Sequence, residues 1–337
     1  MVISADLFSF DELQGWALEN VVEGHCEISG SEEHLIDTVS LTDFFKTLFS
    51  VFEEDAGGRT LCEVVQEDWN LLKDNEYVEV VLEDLLREQG TPLTVRTNVR
   101  YIDDVIEPCS RWTEIKSSLR TERRFFAGEL IQDEDKWDVF FASNITIKAG
   151  TIFKRARINE DEKKLYSEEK DLGMPPADKA TAGRANTYGI PYLYLGDDDM
   201  TVMYESRALA NDILSVASFE TTADLDVVDF TIKPDLFAVF QQSKDDLLTA
   251  IQRYVFLNEV SKDMSKAVRR YDNKEIDYLS TQFVCEYIRL VTAAKGLVFQ
   301  SAQYPKGKNT VLFDDKNVRF LGVEHKEVGS VTMAYSR

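Results

Sequence analysis

At 337 residues, 44% of them hydrophobic and 29% charged, the chain has the size for two domains and the composition of an ordinary soluble protein. Its net charge of −23 sits mostly in the first half: residues 1–150 hold 32 acids and 13 bases, residues 151–337 hold 29 and 25. That imbalance repels a phosphate backbone and argues against nucleic acid, and no apolar run approaches the ~20 residues that span a bilayer. The acidic surface serves either solubility or the docking of a basic partner.

The start, Met1-Val2-Ile3-Ser4-Ala5-Asp6, meets an acid at once and has no basic stretch of the kind that opens a secretory leader. Cys26, Cys62, Cys109 and Cys285 are scattered without a CxxC pair, which fits reduced thiols and a cytoplasmic protein.

In chain order, the first half reads helical. Asp11-Glu12-Leu13 opens one helix, and Ser31-Glu32-Glu33 before His34-Leu35-Ile36 has the form of an N-cap with acids in the first turn. Leu41, Phe44, Phe45, Leu48, Phe49 and Phe52 recur at three and four, a stripe for a core. Leu61–Leu72 and Val78–Leu86 have helix length, although Val78-Glu79-Val80-Val81 also fits the start of a strand. Gly90-Thr91-Pro92 stops the run, and Arg111–Phe126 resumes it with Trp112, Ile115 and Leu119. His25 and Cys26 offer two metal ligands where a structural zinc needs about four. No catalytic constellation emerges here, leaving a regulatory, packing or partner-binding role.

The second half carries the chemistry. Thr151–Arg157 reads as a short strand, with Phe153, Arg155 and Arg157 on one face and Ile152, Lys154 and Ala156 on the other. The two arginines either grip one anion or bridge to acids. Residues 159–180 form a polar loop, followed by Gly183-Arg184-Ala185-Asn186 and the strand Tyr192-Leu193-Tyr194-Leu195. Glycines let a backbone approach a ligand closely, and a guanidinium is a planar fork suited to phosphate. Asp197–Asp199 begins a helix that turns Glu205 back toward the strand end carrying Tyr194.

Taken together, Arg155-Ala156-Arg157, Met174-Pro175-Pro176, Gly183–Asn186, Gly189-Ile190-Pro191 with Tyr192–Leu195, and Thr201…Glu205 resemble the RES-domain family, named for its arginine, glutamate and serine. Tyr278–Ile288 is similar to a family helix, with Leu279, Phe283, Tyr287 and Leu290 as its apolar face. Gly296–Ser301 and Gly307–Phe313 are similar to the serine strand and the closing strand, so the likeness covers about residues 151–315. The first half resembles, more loosely, the HEPN-like helical domain that precedes some RES domains. Where those often carry a CxxC, His25-Cys26-Glu27-Ile28-Ser29 lacks the second cysteine.

The resemblance implies an ADP-ribosyltransferase-like fold and consumption of NAD, as in toxins paired with an antitoxin or regulatory protein. It puts the family arginine on Arg184, the tyrosine on Tyr194, the glutamate on Glu205 and the serine on Ser301. Arg155, Arg157, Asn186 and Asn309 are then further contacts to NAD. NAD is expected as substrate rather than resident cofactor, with inorganic phosphate as a co-substrate and with no metal, nucleic acid or membrane. The expected reaction is phosphorolysis or hydrolysis of the nicotinamide–ribose bond. ADP-ribose transfer to a protein and a non-catalytic interaction module are the alternatives. His325 is the sole histidine of this half, which argues against a Ser-His-Asp triad at Ser301.

The expected fold class is α+β. A mostly helical domain spans residues 1–148, and a RES-like catalytic domain with a mixed sheet and helices spans 149–337. Its further strands are expected at Asp226–Phe230, near 297–301, 309–313 and 317–323, and in the tail at Glu327–Met333, with a helix over Asp245–Val260.

Overall fold

In the computed structural model, which describes residues 1–124, 131, 136–160, 165–232, 239, 244–267 and 274–330, the apolar stripe of the first half buries Phe45, Leu48 and Phe49 on one helix. Two units result: Met1–Ser110 with Ile232–Phe256, and Arg111–Thr231 with Leu257–Arg337. The division expected at 148/149 falls inside the second unit. The α+β class holds.

The first unit contains α1 (Glu12–Glu19), α2 (Thr42–Phe49), α3 (Leu61–Trp69) and α4 (Val78–Gln89), with Phe8, Leu13, Val65 and Trp69 buried at its core. Helix α3 starts on a capping box between Thr60 and Glu63, and α4 ends at Gly90, whose φ of 62° suits glycine. Val78–Val81 is therefore helix, not strand.

Two small antiparallel sheets complete this unit. Strand β1 (Val2–Ser4) pairs with β2 (Leu35–Asp37), and β3 (Phe52–Thr60) pairs with β4 (Asn98–Tyr101). The helix expected after Ser31 is thus corrected to β2. The Ser31 hydroxyl does accept from a backbone N–H, that of Glu33, but in a local turn, and Leu35 and Ile36 then join a strand distant in sequence. The buried Asp68 carboxylate accepts from both terminal nitrogens of the half-exposed Arg59 guanidinium and from the buried Tyr101 hydroxyl, so the acid is satisfied.

Helix α5 (Asp103–Thr121) begins ahead of the expected Arg111, despite Pro108 within it. Proline has no N–H to give the carbonyl four residues back, here Asp104, and Gln252 Nε2 donates to that oxygen instead at 2.7 Å. The expected helix end at Phe125 and Phe126 lies outside the described residues.

The second unit is built on an eight-stranded sheet of order β12-β8-β6-β7-β11-β10-β9-β5. Its strands are β5 (Ile145–Ile147), β6 (Ile152–Ile158), β7 (Leu193–Gly196), β8 (Ile213–Thr221), β9 (Leu225–Asp229), β10 (Gly296–Gln300), β11 (Lys308–Leu312) and β12 (Val318–Glu327). All neighbours run antiparallel except β9 and β10. Strands β6, β7, β9, β10, β11 and β12 match expectation to within a few residues, whereas β5 and β8 were not foreseen. Residues 331–333 of the expected tail strand lie outside the described residues.

One break in this ladder locates the site. Strand β6 pairs with β8 along its whole length but meets β7 only at Lys154–Gly196. Past that bridge Arg155 and Ala156 border open space instead of a neighbouring strand. Helices α6 (Trp137–Phe140), α7 (Glu169–Leu172), α8 (Asp199–Glu205), the Leu257–Ser265 part of α9 (Lys244–Ser265), α10 (Lys274–Asp277) and α11 (Leu279–Val291) belong to this unit. Trp137 packs edge-on against Trp112 and Tyr287. No helix among the described residues is long and apolar enough to cross a membrane.

Candidate active site

The loop Gly183–Asn186 is held from three sides. Asn186 is 5% exposed, and its Nδ2 donates to the carbonyls of Thr181, Thr187 and Ile190 at 3.0, 3.1 and 2.8 Å. Tyr194, on β7, accepts from Ala185 N–H at 2.9 Å and donates to Asn186 Oδ1 at 2.7 Å. Burial pushes the Tyr194 phenol well up, so the hydroxyl stays protonated as that donor. From α11, Thr281 Oγ1 donates to the Arg184 carbonyl and Gln282 Nε2 to those of Gly183 and Asn186.

The glycine at 183 is required by contact: a Cβ there would lie 2.5 Å from the Tyr194 hydroxyl and 2.8 Å from Asn186 Oδ1. Gly183→Ala is expected to displace Tyr194 and to cost about 1–3 kcal/mol, the scale of overpacking, read by urea denaturation.

These contacts also correct the apolar face expected on α11. Its buried side is Ser280, Thr281, Gln282, Val284, Cys285 and Ile288, while Leu290 is 72% exposed. The helix grips the loop through polar groups, and Phe283 and Tyr287 lean on Trp137.

Glu205 ends α8, whose N-cap Asp198 accepts from Thr201 N–H. Its Oε1 accepts from Ser301 Oγ at 2.6 Å and from Asn309 Nδ2 at 2.8 Å. Ser301 is 4% exposed, and its oxygen accepts from the backbone N–H groups of Gln303 and Tyr304, which fixes the direction of its proton. The Tyr304 ring stacks on Tyr204 with 3° between planes, which ties the end of α8 to this turn. The hydroxyl of Ser301 therefore orients the carboxylate. His325 lies elsewhere, 3.0 Å from Ser215 Oγ.

Ser301→Ala removes one donor from Glu205 and leaves two N–H groups without their acceptor. A fall in turnover of about tenfold to a hundredfold is expected, read by steady-state kinetics beside a melting curve.

The arginines divide. Arg155 Nη1 is buried without a hydrogen-bond partner among the described residues. Burial, aided by the like charge of Arg157, brings the Arg155 pKa down to about 10, so it is still cationic at neutral pH. Arg184 donates Nη1 to the Asp263 carbonyl at 3.0 Å and Nη2 to that of Lys266 at 2.6 Å, and its guanidinium carbon lies 5.1 Å from the centre of the Tyr278 ring. Burial lowers its pKa too. Arg157 turns away, donating to the Asp171 carbonyl and lying over Tyr166.

A cavity of about 340 Å³ is lined by Arg155, Arg184, Tyr194, Glu205 and Asn309, with Phe299 and Tyr278 among its apolar walls. Of the residues singled out from sequence, those five meet there, and Ser301 acts on it through Glu205. Arg157 and Asn186 are engaged elsewhere, the latter in holding the loop. Sequence reasoning passed over Arg207, Tyr278 and Gln303, which also line the cavity. Arg207 adopts φ 54°, unusual for a residue with a Cβ, a feature with no sequence signal. Among the described residues no group of three or more His, Cys, Asp and Glu side chains is placed to hold a metal ion.

Residues 155–334 match the RES domain, more than half of the chain, and the protein belongs to that family. The family is associated with NAD-related toxin activity. No curated protein gives a match.

Proposed function

We propose that this cavity cleaves NAD between nicotinamide and ribose, passing the ADP-ribosyl group to inorganic phosphate or to water. The observation that carries the reading is Glu205. Its carboxylate faces a cavity with Oε1 held by two donors, while Oε2 has no hydrogen bond among the described residues.

The chemistry asks for little else. As the C1–N bond of the nicotinamide ribose breaks, its electron pair goes to the ring nitrogen and neutral nicotinamide leaves. No strong general acid is needed. Positive charge develops on the ribose, as in glycoside cleavage, and a fixed carboxylate lowers its energy. Arg155 offers a buried N–H to a phosphate oxygen, and Arg184 retains N–H donors beyond the two committed to backbone. Tyr194 and Tyr278 supply ring surface. A phosphate or water oxygen then bonds to the anomeric carbon, and in hydrolysis the attacking water gives up its proton to solvent. NAD enters as substrate, and phosphate is the co-substrate of the phosphorolytic form. The volume lies within the range of small-molecule sites, about 300–1,000 Å³.

The test is purified protein with NAD, with and without phosphate, following nicotinamide and the ADP-ribosyl product by mass. Phosphate-dependent release of ADP-ribose-1″-phosphate identifies a phosphorylase, and free ADP-ribose without phosphate identifies a hydrolase. No release in either case would overturn free-standing NAD cleavage and leave a protein acceptor or a binding role.

A further inference from the structure

The end of α9 takes no part in the reaction above, yet it touches the site arginine. The last carbonyls of a helix have no partner within it and carry the negative end of its dipole. Here two oxygens at that end, those of Asp263 and Lys266, take both terminal nitrogens of Arg184. That contact offsets part of the cost of burying a guanidinium, and it sets the plane in which the remaining donors lie.

The same residue, Asp263, is anchored from the other side. Its Oδ2 accepts from Trp112 Nε1 and from Lys116 Nζ, each at 2.8 Å. Trp112 is fully buried, and the Lys116 ammonium lies 5.5 Å from the centre of its ring. Asp263 thus joins α5, by its side chain, to Arg184, by its carbonyl. Nothing in its immediate sequence, Lys262-Asp263-Met264, suggests a part in ligand binding.

We propose that Asp263 is a positioning residue for Arg184: pinned by Trp112 and Lys116, it aims the guanidinium at a phosphate group of the cavity's ligand. This rests on the reading of the cavity as an NAD site. The role concerns binding more than chemistry, because Arg184 addresses the phosphates while Glu205 addresses the breaking bond. Asp263→Asn keeps an oxygen for Trp112 and serves as the conservative variant. Asp263→Leu removes it.

The experiment is a double-mutant cycle on ADP-ribose affinity, by calorimetry, with Asp263→Leu, Arg184→Gln and the pair, alongside KM and kcat for NAD. Asp263→Leu is expected to weaken ADP-ribose and to raise KM by about tenfold, the scale of a charge-assisted hydrogen bond, with kcat changed by less than threefold. Asp263→Asn recovers most of the loss. On the Arg184→Gln background the Asp263→Leu change costs little more, since the group it positions is gone.

Additive losses would overturn the proposal, as would unchanged affinity with a lowered melting point, because a purely structural aspartate predicts either. A wild-type protein that turns over NAD yet shows additive losses contradicts this role alone. One that neither binds ADP-ribose nor releases nicotinamide contradicts the NAD reading, and this role with it.

Discussion

Glu205→Gln is expected to reduce nicotinamide release by about two to three orders of magnitude while leaving the melting point nearly unchanged. The size follows from what the carboxylate does. A fixed negative charge next to a developing cation stabilises the transition state far more than the ground state, so its removal falls on kcat. The fold is spared because glutamine keeps an oxygen for the Ser301 hydroxyl and the Asn309 amide, the two donors that hold Oε1. Activity within a few-fold of wild type would mean that Glu205 is only a surface carboxylate, and a large drop in melting point would mean that its charge serves the fold.

The largest stability effect is expected at Asn186. Its amide group donates to three carbonyls and accepts the Tyr194 hydroxyl, all from a residue 5% exposed. Asn186→Ala leaves those groups to find water or go unpaired. At about 1–3 kcal/mol for each unpaired buried group, with some relief from solvent, a loss of about 3 kcal/mol is the expected outcome. In a unit of this size that lowers the melting point by roughly 6–12 °C. Tyr194, whose ring lines the cavity, loses one of its two hydrogen bonds and keeps that from Ala185 N–H, so KM for NAD rises as well. A variant as stable as wild type would contradict the share assigned to the Asn186 amide in holding this loop.

What could be read from sequence was set by how local the cause is. Of the stripe Leu41, Phe44, Phe45, Leu48, Phe49 and Phe52, the middle falls on one helix that buries Phe45, Leu48 and Phe49, whereas Phe52 opens β3; the stop at Gly90 follows from backbone preference and appears as read. Leu35-Ile36 reads as helix because the cap-like Ser31 is adjacent, whereas its strand partner Ile3 is far away in sequence. Strand β8 gives no clear signal, since Ser215, Ala217 and Ser218 dilute the alternation of a strand largely buried on both faces. Helix α5 runs through Pro108, and Gln252 supplies the donor that the proline lacks, a contact no local rule anticipates.

The site divides the same way. Motif order led to Arg155, Arg184, Tyr194, Glu205 and Asn309, which share one cavity. The motif could not say that Ser301 points at Glu205, that Asn186 is consumed by its own loop, or that Arg157 bonds Asp171. Those are properties of side-chain direction, which tertiary packing decides.

The most direct measurement is a crystal structure of Glu205→Gln with intact NAD. The expected result is the anomeric carbon of the nicotinamide ribose about 3–3.5 Å from a side-chain atom at position 205, and a pyrophosphate oxygen within hydrogen-bond reach of Arg155 Nη1. NAD bound outside this cavity, or bound within it with the nicotinamide ribose turned away from position 205, would contradict the account.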